Sequence, residues 1–167
     1  MVISLLMKGG LFVMQLDIDS FYNKYIDIFD SCMDKIFDTD IKKIEAVCKF
    51  ENRGFFRLEY KYYPQNYRIV VENELKTFNI DIFDAEQAST ALYRICKFKS
   101  ELNAEWIEKS IELLKAVLLK NEFNMYFHKD GKYYKKNADG IKRIKNIDEL
   151  QADIQEQRER HKELLNE

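Results

Sequence analysis

The sequence predicts an α+β fold: an antiparallel β-meander packed against several α-helices, followed by a C-terminal β-hairpin and a terminal helix. Three observations carry this reading. Apolar residues recur every three to four positions across residues 17–37, the spacing of one buried helical stripe. From Ile44 the period switches to two, as expected of strands with one face on a core. Short turn-forming segments separate these runs, which favours antiparallel neighbours, because parallel ones need long crossovers.

The bulk properties fit one domain over residues 1–167. The chain is 46% hydrophobic and 14% aromatic, so material for a core is plentiful and global disorder is excluded. At this size a domain buries roughly 70% of the surface its unfolded chain exposes. One Pro and five Gly argue against a loop-rich or low-complexity chain. Cys32, Cys48 and Cys96 stand far apart among apolar neighbours, without a CxxC pair. They read as reduced thiols used as small hydrophobes in a cytoplasmic protein.

The opening stretch MVISLLMKGGLFVM is apolar, but it lacks a basic n-region and a small-residue cleavage site. It is also too short to span a bilayer, so no membrane partner is expected. Codons for Lys8-Gly9-Gly10 can spell a purine-rich ribosome-binding sequence shortly before Met14. Translation is therefore expected to begin at Met14, with residues 1–13 as upstream read-through. An intact mass beginning at Met1 refutes this. Taken at face value, Val2 to Met7 reads as a short first strand.

The first helix runs from about Asp17 to Phe37, with Asp17, Asp19 or Ser20 as N-cap. Strands follow at Ile44–Phe50, Phe56–Tyr62 and Tyr67–Val71, joined by Glu51-Asn52-Arg53-Gly54 and Pro64-Gln65-Asn66. A fourth, Phe78–Ile82, completes the meander, and its Ala46/Cys48/Phe56/Leu58 face is expected on the helices. Asp84 with Gln87 has capping-box spacing and predicts a second helix burying Ala88, Ala91/Leu92 and Ile95. A third helix spans about Asn103 to Lys120, with Glu105 and Lys109 paired on its surface. Asp130-Gly131 between alternating runs is a strong hairpin signal, and Asn137-Ala138-Asp139-Gly140 makes a second turn. From Asp148 the chain is helical, but few apolar residues follow. Residues 155–167 are expected to be solvated or frayed.

Catalytic chemistry finds no foothold. The two histidines, His128 and His161, lie far apart with no ligand cluster at metal spacing. No phosphate-binding loop, nucleophile elbow, zinc-protease motif or dinucleotide fingerprint occurs. A non-enzymatic protein without metal or cofactor is the expectation.

Charge is distributed unevenly. Residues 15–40 hold seven Asp against two Lys, and residues 129–145 hold seven bases against two Asp. Asp27, Asp30, Asp34 and Asp38 follow i, i+3, i+7 and i+11, so they line one face of the first helix. Asp is a mediocre helix former and like charges at this spacing repel, so a merely solvated face would be better served by Glu. The stripe therefore points to a docking surface for something basic. Tyr60, Tyr62, Tyr63 and Tyr67 crowd the second turn of the meander, and Tyr is enriched at interfaces. These eight residues are the candidate protein-binding set. The basic segment 129–145, interleaved with Tyr133 and Tyr134, is the alternative: lysines for phosphates and aromatics for bases suit a nucleic-acid-binding regulator. A net charge of −2 counts against nucleic acid as a partner.

In its size, its make-up rich in Ile, Lys, Asn and Phe, and its acids and aromatics without an active site, the chain resembles the immunity proteins of bacterial polymorphic toxins and contact-dependent growth inhibition. The resemblance lies in the general plan of residues 14–167. It implies a cytoplasmic inhibitor whose partner is a cognate toxin domain, basic where it cuts nucleic acid.

Overall fold

The computed structural model describes the backbone of residues 2–165 and the side chains of residues 19–164. Eight antiparallel strands form one sheet whose spatial order is the chain order. They are β1 (Ile41–Lys49), β2 (Phe55–Tyr62), β3 (Tyr67–Glu74), β4 (Thr77–Phe83), β5 (Ser89–Ala91), β6 (Met125–Lys129), β7 (Lys132–Asn137) and β8 (Gly140–Ile144). The helices are α1 (Val2–Phe37), the single turn α2 (Leu92–Ile95), α3 (Ala104–Lys120) and α4 (Ile147–Arg160). The α+β architecture with a terminal helix is as the sequence predicts.

One face of β2, β3 and β4 makes the core. Phe56, Leu58, Tyr60 and Tyr62 alternate inward on β2, Ile69 and Val71 on β3, and Phe78, Ile80 and Ile82 on β4. Helices α1 and α3 contribute Phe29, Met33 and Phe37, and Ile107, Ile111, Leu114 and Leu118. Phe29 sits edge-on to Phe78 at 5.1 Å and to Phe56 at 6.1 Å, so aromatic geometry as well as area fixes the helix on the sheet. Lys115 of α3 donates to the carbonyl of Ile36, satisfying one of the acceptors left open where α1 ends.

The turn between β1 and β2 needs its glycine. Gly54 has φ +77°, and a Cβ there would lie 1.8 Å from the Tyr22 ring. Tyr22 closes over the turn, stacking on Phe50 at 5.9 Å and donating its hydroxyl to the carbonyl of Arg53. Asn73 braces the same turn from β3, accepting from the Phe56 amide at 2.6 Å and donating to the Gly54 carbonyl at 3.0 Å.

Several expectations are corrected. The first helix reaches back to Val2, so Val2–Met7 is helical rather than a strand. The proposed start at Met14 concerns residues whose side chains lie outside those described. Ala46 and Cys48 do share the face of Leu58 and Phe56 by register, yet both are exposed. They lie on the edge strand, where β1 also carries an irregularity between Lys43 and Glu45. Cys32 and Cys96 are buried as expected of small hydrophobes, and Cys48 is not.

No second helix starts at Asp84. Its carboxylate accepts from the amides of Glu86 and Ala88, which folds a turn that leads into β5. Ala88, Ala91, Leu92 and Ile95 are buried as the stripe predicts, but from a turn, a strand and one helical turn. The C-terminal hairpin gains a third strand, and it joins the meander through a single residue pair, Ser89 with Tyr126. The sheet thus has a seam between β5 and β6.

Helix α4 differs most from its expectation. Asp153, Gln157 and His161, four residues apart, are all buried. The helix docks through the polar side chains of Asp153 and Gln157, while the His161 ring meets the Gln157 carbonyl of its own helix. Gln157 accepts from the Asn124 amide at 2.5 Å and donates to the Arg94 carbonyl at 3.1 Å. Arg158 donates twice to the Tyr93 carbonyl, at 2.9 and 2.7 Å. The carbonyls that α2 leaves open are therefore met by α4. Among the described residues no helix is long and apolar enough to cross a membrane.

Candidate functional site

The acidic stripe divides on folding. Helical residues advance by about 100°, so Asp30 is turned about 60° from Asp27 toward the sheet. There it accepts from Lys43 at 2.6 Å and from the Tyr60 hydroxyl at 2.7 Å. Burial, reinforced by the Asp30 charge, pushes the Tyr60 phenol well above its ordinary value, so it stays a donor. Asp27 and Asp34 remain exposed on α1. Asp38 lies just past its end with φ +52°, a conformation Asp tolerates better than most residues. Neither Asp27, Asp34 nor Asp38 has a cation within ion-pair distance among the described residues.

The tyrosines divide as well. Tyr60 and Tyr62 are 1% exposed and belong to the core, Tyr62 lying edge-on to Phe37 at 5.6 Å. Tyr67 is half-buried, donating to Asn121 at 2.9 Å. Tyr63 alone of the four is open, at 54%. Its amide donates to the Asp40 carbonyl at 2.9 Å, which fixes it beside the acidic end of α1. Asp38, Asp40 and Tyr63 therefore form one corner, with Asp34 and Asp27 leading up to it along the helix. On α1 a hollow of about 660 Å³ runs past Ser20, Asp27 and Ser31.

The opposite face of the sheet carries an ionic network that sequence reasoning did not single out. Glu59, nearly buried, accepts from Arg57 at 2.6 Å and from Arg68 at 3.0 Å, and Arg57 also reaches Glu72 at 2.9 Å. Burial works against the Glu59 carboxylate, but the bonds from Arg68 and Arg57 outweigh it and hold its pKa below the usual range. These charges answer one another on adjacent strands. Their arrangement is that of a cross-strand lattice rather than of a reacting centre.

The seven bases of residues 129–145 also sort by role. Lys135 pairs with buried Asp153, Lys136 with Asp84 and Glu86 at 2.8 Å each, and Lys142 with Glu149 at 3.5 Å. Lys129, Lys132, Arg143 and Lys145 are exposed, with no ion-pair partner among the described residues. Tyr134 stacks on Phe127 at 5.2 Å, whereas Tyr133 is 57% exposed with His128 edge-on to it at 5.0 Å. Two hollows, of about 600 and about 330 Å³, open beside the seam and share Arg94, Tyr126 and Tyr133 as common wall. Sequence reading missed Arg94, whose guanidinium lies 5.7 Å from the Tyr126 ring centre. Only the fold brings α2 next to β6.

Among the described residues no three His, Cys, Asp or Glu side chains come together in a way that could hold a metal ion. Burial pushes the Cys96 thiol up to about 12, far from a reactive thiolate. The chain matches no protein-family model, no curated protein and no solved structure.

Proposed function

We propose that the chain is a non-enzymatic inhibitor, an immunity protein that neutralises a bacterial toxin domain which cuts nucleic acid. The observation that carries this reading is the corner where exposed Tyr63 stands beside Asp38 and Asp40, with Asp34 and Asp27 exposed along α1 and without an ion-pair partner among the described residues. A nuclease presents a cationic cleft to its substrate. Unpaired acids on a rigid helix attract such a cleft from a distance and raise the association rate. An aromatic side chain at the centre of the contact then slows release. Because Asp30 is engaged by Tyr60 and Lys43, it belongs to the support of this surface, and the contacting set is Asp27, Asp34, Asp38 and Tyr63.

Co-expression with any nuclease-toxin domain that a gene adjoining its own encodes tests the proposal. The protein is expected to restore growth and to form a complex with the purified domain. Asp27, Asp34 and Asp38 replaced together by Asn should slow association and flatten its salt dependence, while Tyr63→Ala should speed dissociation. Failure both to restore growth and to form a complex would refute the reading.

A further inference from the structure

We infer that the two hollows beside the β5–β6 seam form a binding site for single-stranded nucleic acid, separate from the acidic corner. Three features support this. The hollows adjoin and share Tyr133, whose ring is open to solvent between them. Every base has a π-face, so an exposed ring on a rigid strand is a stacking platform that tolerates any sequence. Next, the cations around the rim are those the fold leaves unused. Lys129 lines the first hollow and Lys132, Arg143 and Lys145 the second, while the bases with structural partners, Lys135, Lys136 and Lys142, line neither. Arg94, in the shared wall, faces an aromatic ring and has no carboxylate within ion-pair distance among the described residues. One acid, Glu86, lines the first hollow, and Lys136 holds it at 2.8 Å.

The concave shape selects among nucleic acids. A duplex keeps its bases stacked on one another and offers only its edges and backbone, which a ring inside a hollow does not meet. A single strand turns out its bases, so one can lie on Tyr133 while adjacent phosphates reach cations in both hollows. Two adjoining hollows with cations in each suit successive nucleotides of a strand better than one free nucleotide. The local charge prevails over the net −2 because at physiological salt charges interact only over about 8 Å.

Fluorescence anisotropy with a labelled twelve-residue oligo-dT tests this, against a twelve-base-pair duplex, AMP and heparin as competitors. Oligo-dT should bind, and four phosphate contacts predict an affinity roughly 50-fold weaker at 200 mM than at 50 mM salt. Tyr133→Ala, at an exposed position, should weaken binding at least about fivefold with its salt slope and melting temperature unchanged. Lys129→Gln with Lys132→Gln should flatten the slope, whereas Lys142→Gln should not. The Asp27/Asp34/Asp38→Asn variant should bind oligo-dT as well as the parent does, so this site and the acidic corner can fail independently. Absence of binding at 50 mM salt overturns the inference. So does a duplex or heparin competing as well as the single strand, or AMP competing at equal concentration of nucleotide. Loss of nothing on Tyr133→Ala overturns it too.

Discussion

The Tyr60 hydroxyl lies 2.7 Å from the Asp30 carboxylate, a bond that ties the first helix to the second strand. It separates two acids of one stripe into different tasks, because Asp30 supports the core edge while Asp27 and Asp34 meet solvent. Tyr60→Phe removes the donor but keeps the ring, and should cost about 1.5–3 kcal/mol, the range for a hydrogen bond to a charged group. Asp30→Asn should also destabilise, whereas Asp34→Asn should change stability by less than about 0.5 kcal/mol, as surface substitutions do. Urea unfolding of the three variants checks this, and equal effects for Asp30→Asn and Asp34→Asn would contradict it.

Gly54→Ala should be more damaging than a turn substitution ordinarily is. Its positive φ strains any L-residue, and the new methyl group meets the Tyr22 ring. Backbone strain of this kind costs about 1–3 kcal/mol, before the ring is displaced from Phe50 and Phe56. Tyr22→Ala in the same chain should recover part of the loss by removing the clash. Thermal melts of the single and double variants measure the coupling.

Leu58 and Ala46 face each other across β1 and β2 but differ in burial. Leu58→Ala should cost about 2–5 kcal/mol as a core truncation. Ala46→Ser, on the open edge, should cost less than about 0.5 kcal/mol. Denaturant midpoints for the pair check the assignment of the core boundary.

Asp153 gives a pH signature. Burial alone would raise its pKa, but Lys135, Tyr126 and Asn124 stabilise the carboxylate and hold it below the ordinary value. Its contribution is therefore present above the unfolded value of about 3.9 and lost as pH falls through the lower folded value. Asp153→Asn should cost about 3 kcal/mol at pH 7, the low end for breaking a buried pair, since Lys135 keeps access to water. The gap in melting temperature between parent and variant should shrink between about pH 5 and pH 2. A constant gap would mean that Asp153 acts through shape alone.

Much of this fold is legible in the sequence because the signals are local. The period of two and the turn residues at Asn52–Gly54 and Asp130–Gly131 place the strands, and Asn103 caps α3 with its side chain on the Glu105 amide. The misreading at Asp84 has a definite cause. An Asp that accepts from amides two and four residues on serves a turn as well as a helix start, and nothing local distinguishes them. The candidate site was legible in part. The helical repeat places the four Asp near one another, but whether Asp30 faces solvent depends on where Tyr60 and Lys43 lie after folding. Arg94 is invisible for the same reason, since Tyr126 and Tyr133, with which it lines both hollows, are more than 30 residues away in the chain. In α4 the spacing of Asp153, Gln157 and His161 is present in the sequence, but hydrophobic periodicity does not register a buried stripe made of polar residues.

That polar ladder has a consequence for how the terminal helix finds its place. An apolar seam accepts a helix slid by one turn with modest loss, because one methylene contact is much like another. Here each rung demands a different complement: Asp153 a cation and a phenol, Gln157 one amide to accept from and one carbonyl to donate to. Sliding by a turn in one direction would set a neutral carboxamide against Lys135, and sliding in the other would set the Asp153 carboxylate against the Arg94 carbonyl. Misaligned dockings are thus rejected by mismatched polarity, since an unpaired buried polar group costs more than its bond contributes. The helix is held in a single alignment, and intermediate placements have nothing to stabilise them.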